Sequence, residues 1–246
     1  MSVFKYGKLA AEHDPRTLMM KSYLIPGLPD PPQTVDSIAR AEAKVPAFTV
    51  ERSCPMDGND QYGDCTYAAA AHDITVFEAL VGRDTVPNQQ AVVSEYLSFT
   101  GGKDTGCVEL RVLRHWKKNG ILGRKISAFV GLRLHNQEDV KRAIWMFGAA
   151  YLGFQVQANA ESDFFAGKPW QPGPPDGGGH AVTAVKADDN WIWVLTWGKL
   201  QQASWDWWYA QVDEAYATLP EEAAEQGFSD QFDFAALESD ITLLAA

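Results

Sequence analysis

The 246 residues are 46% hydrophobic and 22% charged, an ordinary globular balance with length for one large or two modest cores. A net charge of −11 repels phosphate backbones, so nucleic acid is not an expected partner. No run of eighteen apolar residues occurs and Met1 to Gly7 carries no apolar signal core, which argues against a membrane partner and predicts a protein kept in a cytoplasm.

Residues 1–57 hold Pro15, Pro26, Pro29, Pro31, Pro32, Pro46 and Pro55 and read as an extended arm wrapped on the body. Tyr23, Leu24, Ile25 and Leu28 are apolar enough to dock it, and one short helix is expected over 35–43. A helix over 65–81 has a buried stripe of Ala69, Ile74, Phe77, Leu80 and Val81, and Gly82 ends it. Two more helices are expected over 88–98 and 107–119, joined by the mobile loop 100–106. Residues 126–134 alternate like a strand, and 136–148 form a helix capped by Asn136 with Glu138 near its start. From 151 the pattern turns to strands: 151–157, 180–187 and 191–197, the last two joined by a hairpin at 188–190. Residues 168–179 make a Pro/Gly loop. A helix rich in aromatics is expected over 206–217, then an acidic tail partly ordered through Phe228, Phe232, Phe234 and Leu237. Helices followed by antiparallel strands make an α+β layout.

The chemistry-bearing stretch is Asn59, Asp60, Gln61, Tyr62, Gly63, Asp64, Cys65, Thr66. A turn-forming, amide-rich loop ends at a cysteine that opens an alanine-rich helix. The first N–H groups of a helix and its dipole favour thiolate over thiol, which raises nucleophilicity at neutral pH. Asp64 acts the other way, because a neighbouring carboxylate raises a thiol pKa. Much later, Gly177, Gly178 and Gly179 lead His180 into the apolar Ala181-Val182. A helix-start cysteine and a distant strand histidine are the two parts of a thiol–imidazole pair. Isolated examples of each are more often a small core residue and a satisfied strand histidine. Cys54 and Cys107 read as free thiols, and His72, His13, His115 and His135 as structural. With no Cys-x-x-Cys and no His-x-x-x-His, no zinc site and no other cofactor is expected.

The segment from Asn59 to Cys65 resembles the nucleophile segment of papain-like cysteine peptidases, which carries an amide side chain six residues before the cysteine. Gly179-His180-Ala181-Val182 resembles the histidine strand of that family, and Thr196-Trp197-Gly198 the end of its Asn-Ser-Trp-Gly motif. The order extends over about residues 31–216. The resemblance implies a papain-like fold with the cleft between a helical half (58–148) carrying the Cys helix and a strand half (149–218), flanked by the arm and the tail (219–246). It implies a thiol hydrolase acting on a peptide or protein substrate, with Cys65 as nucleophile, His180 as base, and Asn59 or Gln61 at the oxyanion. The orienting Asn of the family aligns with Leu195, which cannot hold an imidazole. Thr196 is the substitute if the strand register differs by one, with Asp188, Asp189 and Asn190 as rivals. Nothing in the arm matches the family's inhibitory prosegment. The same combination is similar to uncharacterised proteins of tailed bacteriophages, which implies the alternative of a catalytically inactive structural or interaction protein. It would be found in a virion or a host cytoplasm among other phage proteins.

Overall fold

The computed structural model describes residues 3–221 and 230–245. Its centre is α3 (Cys65–Leu80), buried at every position. A mostly apolar helix with no solvent face is packed all round, and its polar members Thr66, His72, Asp73, Thr75 and Glu78 are buried with it. Around it lie α1 (Ser37–Lys44), α2 (Val50–Ser53), α4 (Gln89–Phe99) and α5 (Glu109–Asn119). Side chains cap three of these starts: Asp36 accepts from Ala39 N–H, Thr49 from Arg52 N–H, and Asn88 from Gln90 and Ala91 N–H.

The strands are β1 (Val35–Asp36), β2 (Ile126–Gly131), β3 (Ala150–Gln157), β4 (Pro175–Ala187), β5 (Trp191–Thr196), β6 (Lys199–Ser204) and β7 (Val212–Pro220). They form one antiparallel sheet in the order β2-β7-β3-β4-β5-β6, with β1 pairing to β4. Three further helices, α6 (Gln137–Phe147), α7 (Ala160–Phe165) and α8 (Trp205–Gln211), belong to the sheet half, and α9 (Phe234–Ala245) follows it.

Several elements differ from expectation. The strand β2 and helix α6, expected with the helical half, join the sheet. Val130, Val140 and Ile144 share one apolar cluster with Leu152, Val182 and Val194. The helix expected over 206–217 stops at Gln211, and 212–220 is a strand held between β2 and β3. Both of its faces are covered, so no polar–apolar alternation marks it, and its Glu and Ala content suggests helix instead. The loop expected over 168–179 is a strand from Pro175 onward, so β4 runs straight into His180. Phe232 packs with Tyr23 and Phe147, tying tail to arm, while Phe228 lies outside the described residues.

The arm does more than wrap. Lys8 N–H donates to Gly179 O (3.1 Å) on the sheet side, and Leu9 N–H to Cys107 O (2.8 Å) on the helical side. Cys107 N–H returns a bond to Gly7 O (2.8 Å), and Lys5 N–H donates to Asn59 O (3.0 Å). Residues 5–9 therefore run along the cleft, bonded to both walls. The described helices include none long and apolar enough to cross a membrane.

Candidate active site

Cys65 is the first residue of α3 and is fully buried. Backbone N–H groups of Ala181 on β4 and Gly7 on the arm lie near its sulfur and favour the thiolate. The fold thus brings the helix start against the residue that follows His180. The imidazole of His180 is itself buried, with Nε2 2.9 Å from Thr196 Oγ1. Its Nδ1 has no hydrogen-bond partner, so the ring does not bond the Cys65 sulfur in this form. Trp197 stacks on the ring at 5.0 Å, and Phe4 of the arm stacks on that indole at 4.0 Å. Phe154 and Tyr6 approach the imidazole edge-on.

Leu195 and Thr196 are resolved by strand geometry. Successive side chains point to opposite faces of a sheet. Leu195 opposes Thr183, whose Oγ1 donates to Ala69 O of α3 at 2.9 Å, and it packs with Ile38, Val76 and Val185. Thr196 faces the other way, onto His180. The other possible orienting groups lie in the hairpin: Asp188 accepts from Asn190 and Trp191 N–H, and Asp189 pairs with Lys141. Replacing Leu195 by Asn should therefore give no gain in turnover. It should lower stability by about 3 kcal/mol, from lost packing and an amide buried among aliphatic side chains. Urea unfolding checks this; unchanged stability with faster turnover would contradict it.

The two amides have different surroundings. Asn59 Nδ2 donates to Asp64 Oδ1 (3.2 Å) and to the carbonyls of Lys5 and Tyr62 (both 3.4 Å). Gln61 is exposed and borders a surface groove with Gln89 and Gln90. Asp64, at the helix cap, makes no capping bond; its Oδ2 is buried without a partner.

Electrostatics in this closed form reverse the expectation of an activated thiol. Burial pushes Cys65 up to about 12 from an ordinary 9.0, against the help of the two N–H groups. A three-unit rise corresponds to about 4 kcal/mol. A helix dipole supplies ~0.3–2 kcal/mol, so desolvation wins. Burial also pushes His180 down to about 3, with His72 adding to the effect. Both groups are neutral at pH 7. Cys54 and Cys107 are buried free thiols too, and burial raises both, Cys107 to about 11. The helix start thus gives Cys65 no advantage over them while the cleft is filled.

The same burial sets a pH dependence of stability. Asp64 is pushed up to about 8 and Asp73 to about 7, both by desolvation. The unfolded chain releases these protons near 4, the folded chain only near 7–8, so stability falls as pH rises through that window. His180 works oppositely: the unfolded ring binds a proton below about 6.5 and the folded ring near 3, so stability is lost as pH falls between them. Two carboxyl groups outweigh one imidazole, and between pH 6.5 and 8 only the carboxyls act. The urea midpoint should be higher at pH 5 than at pH 8; a higher midpoint at pH 8 would mean these carboxyls are ionised in the fold.

No protein-family model and no curated protein matches the chain. Solved structures do. Xylellain, a cysteine protease from Xylella fastidiosa, aligns with a TM-score of 0.63 at 15% identity, covering 88% of this chain and 96% of that one. ProCathepsin B S9 from Trypanosoma congolense aligns with a TM-score of 0.63 at 17% identity, covering 88% and 86%. The Carica candamarcensis cysteine protease CMS1MS2, in complex with E-64, gives 0.53 at 13% identity, covering 76% and 98%. The fold is that of papain-like cysteine proteases.

Proposed function

We propose that the chain is a thiol hydrolase of papain-like fold, held closed by its own residues 3–9. The observation that carries this reading is the convergence of Cys65, at the start of α3, on the strand that presents His180, whose Nε2 is held by Thr196. With Nε2 on Thr196, the unpartnered Nδ1 is the nitrogen left to take a proton. When the arm withdraws, water re-enters and the desolvation that keeps both groups neutral is relieved. His180 then accepts the thiol proton, and the thiolate adds to an amide carbonyl. The Cys65 N–H, which has no acceptor within its helix, donates to the oxyanion. The imidazolium protonates the departing amine, and water then hydrolyses the thioester to a carboxylic acid and free thiol.

The experiment is labelling with an amide-mimicking thiol electrophile in Gly7→Ala, a variant that disturbs the arm, against the same variant carrying Cys65→Ala. Stoichiometric modification confined to Cys65, with hydrolysis of peptide substrates lost in Cys65→Ala, supports the reading. If Cys65 reacts with iodoacetamide but neither takes the probe nor cleaves any peptide, the second reading stands. In that reading the chain is an inactive protein of the same fold, favoured by the Asp64 carboxyl beside the thiol and by the unbonded Nδ1.

A further inference from the structure

The backbone of Gly7 lies on the Cys65 sulfur, and the next residue, Lys8, sends its side chain inward rather than to solvent. Its ammonium is fully buried, 2.8 Å from Asp213 Oδ1 and 3.1 Å from Glu214 Oε1. A third carboxyl, Glu109, also favours its charged form. A lysine is almost never fully buried unless paired, and here it meets three carboxyl groups, of which burial holds Glu109 well above, and Glu214 above, the ordinary carboxyl range. The surroundings keep the site open for a long side chain. Glycine at 153 forms the passage: a Cβ there would lie 1.8 Å from Lys8 Cε and 2.5 Å from Glu109 Oε1. Glu109 is fully buried, and neither of its carboxyl oxygens has a hydrogen-bond partner. Asp213 and Glu214 are by contrast held in place by Gln155 Nε2 (2.8 Å) and Tyr216 OH (3.0 Å). Asp213 Oδ1 and Glu214 Oε1, the oxygens nearest the ammonium, and both oxygens of Glu109 are thus left without a hydrogen-bond partner of their own. Ammonium and guanidinium groups supply several donors each; a neutral side chain would leave these buried acceptors unmatched.

We propose that this pocket is a substrate subsite selective for a basic side chain, Lys or Arg, adjacent to the residue that lies on the Cys65 sulfur, with Lys8 as its occupant in the closed form. The proposal rests on the hydrolase reading for its substrate, but the pocket is testable without turnover. Lys8→Ala empties it in the full chain. n-Butylammonium, which reproduces the missing side chain, should raise the melting temperature of Lys8→Ala in a saturable way and leave wild type at its salt control. n-Butanol should not, and Glu214→Gln in the Lys8→Ala background should weaken the effect at least tenfold in concentration. Equal effects of the alcohol and the ammonium, or none from either, overturn the proposal.

Should Lys8→Ala not fold, Lys8→Arg and Lys8→Met decide the matter through Cys65 alkylation. Arg should keep the protection of wild type, and Met should lose it at least tenfold; Met as protective as Lys overturns the claim. For the substrate itself, Gly7→Ala protein should cleave peptides with Lys beside the scissile residue at least tenfold better in kcat/KM than norleucine counterparts. Equal rates refute the subsite. Butylammonium rescue without cleavage of any peptide refutes the hydrolase reading and leaves the basic-side-chain pocket standing.

Discussion

Gly7→Ala should expose Cys65. A Cβ on Gly7 would lie 1.7 Å from the carbonyl oxygen of Gly63 and 2.2 Å from its carbon. Both atoms are backbone in the loop that leads to the nucleophile, so no rotamer change relieves the overlap. Movement the other way is blocked as well: the carbonyl oxygen of Gly7 would be 2.2 Å from a Cβ at Gly106, so backbone packs on backbone on both sides. The arm must leave the cleft locally, taking with it the Gly7 N–H on the sulfur and the bonds to Cys107 and Gly179. Each 1.4 kcal/mol of closing free energy lost is a tenfold rise in the open population. Losing about 3 kcal/mol should accelerate iodoacetamide alkylation of Cys65 by about 10²-fold at pH 7.5. Cys54, which sits in a separate cluster with α1 and α3, should stay slow. Mass mapping of the three cysteines reads this directly. A folded Gly7→Ala protein whose Cys65 still reacts at the wild-type rate would show that something other than the arm shields the sulfur.

That the arm occupies the cleft was not legible in its sequence. Residues 3–9 show no pattern of strand or helix, because each of their backbone–backbone bonds goes to a distant residue: Asn59, Cys107 or Gly179. Nor does Lys8 announce itself; a lone lysine reads as solvated until Glu109, Asp213 and Glu214 are brought around it from two later elements. The elements with strong local signals were legible. The alanine run after Cys65 and the caps at Asn88 and Asn136 mark helices in the chain itself. β7 was hidden because burial on both faces removes alternation, and β6 because it is polar and short. The position of Cys65 at a helix start was readable from Gly63 and the alanines. Its protonation was not, since the desolvation that governs it comes from the arm and the sheet rather than from neighbours in sequence.

Thr196→Val should cost both stability and turnover, and the two losses have separate causes. Valine matches threonine in shape but carries no hydroxyl, so the Nε2 of a fully buried ring loses its 2.9 Å partner. Since Nδ1 already lacks one, neither ring nitrogen would then be satisfied. An orphaned buried polar group costs about 1–3 kcal/mol, measurable as a lower urea midpoint. Turnover suffers differently. On the hydrolase reading Thr196, by holding Nε2, leaves Nδ1 for the cysteine, and a ring free to flip or to exchange tautomers would present the wrong nitrogen part of the time. Losing such an orienting group costs on the order of 10²–10⁴ in rate. With the arm displaced by Gly7→Ala, peptide hydrolysis should fall about 10²-fold or more in Thr196→Val. Thr196→Ser, which keeps the oxygen, should stay within about tenfold of the parent. Trp197, stacked on the ring, holds its plane but offers no hydrogen bond to select a nitrogen, so it cannot replace the hydroxyl. If Thr196→Val loses stability yet hydrolyses peptides as fast as Thr196→Ser, the hydroxyl serves the fold alone and the orientation of His180 comes from packing against Trp197 and Phe154.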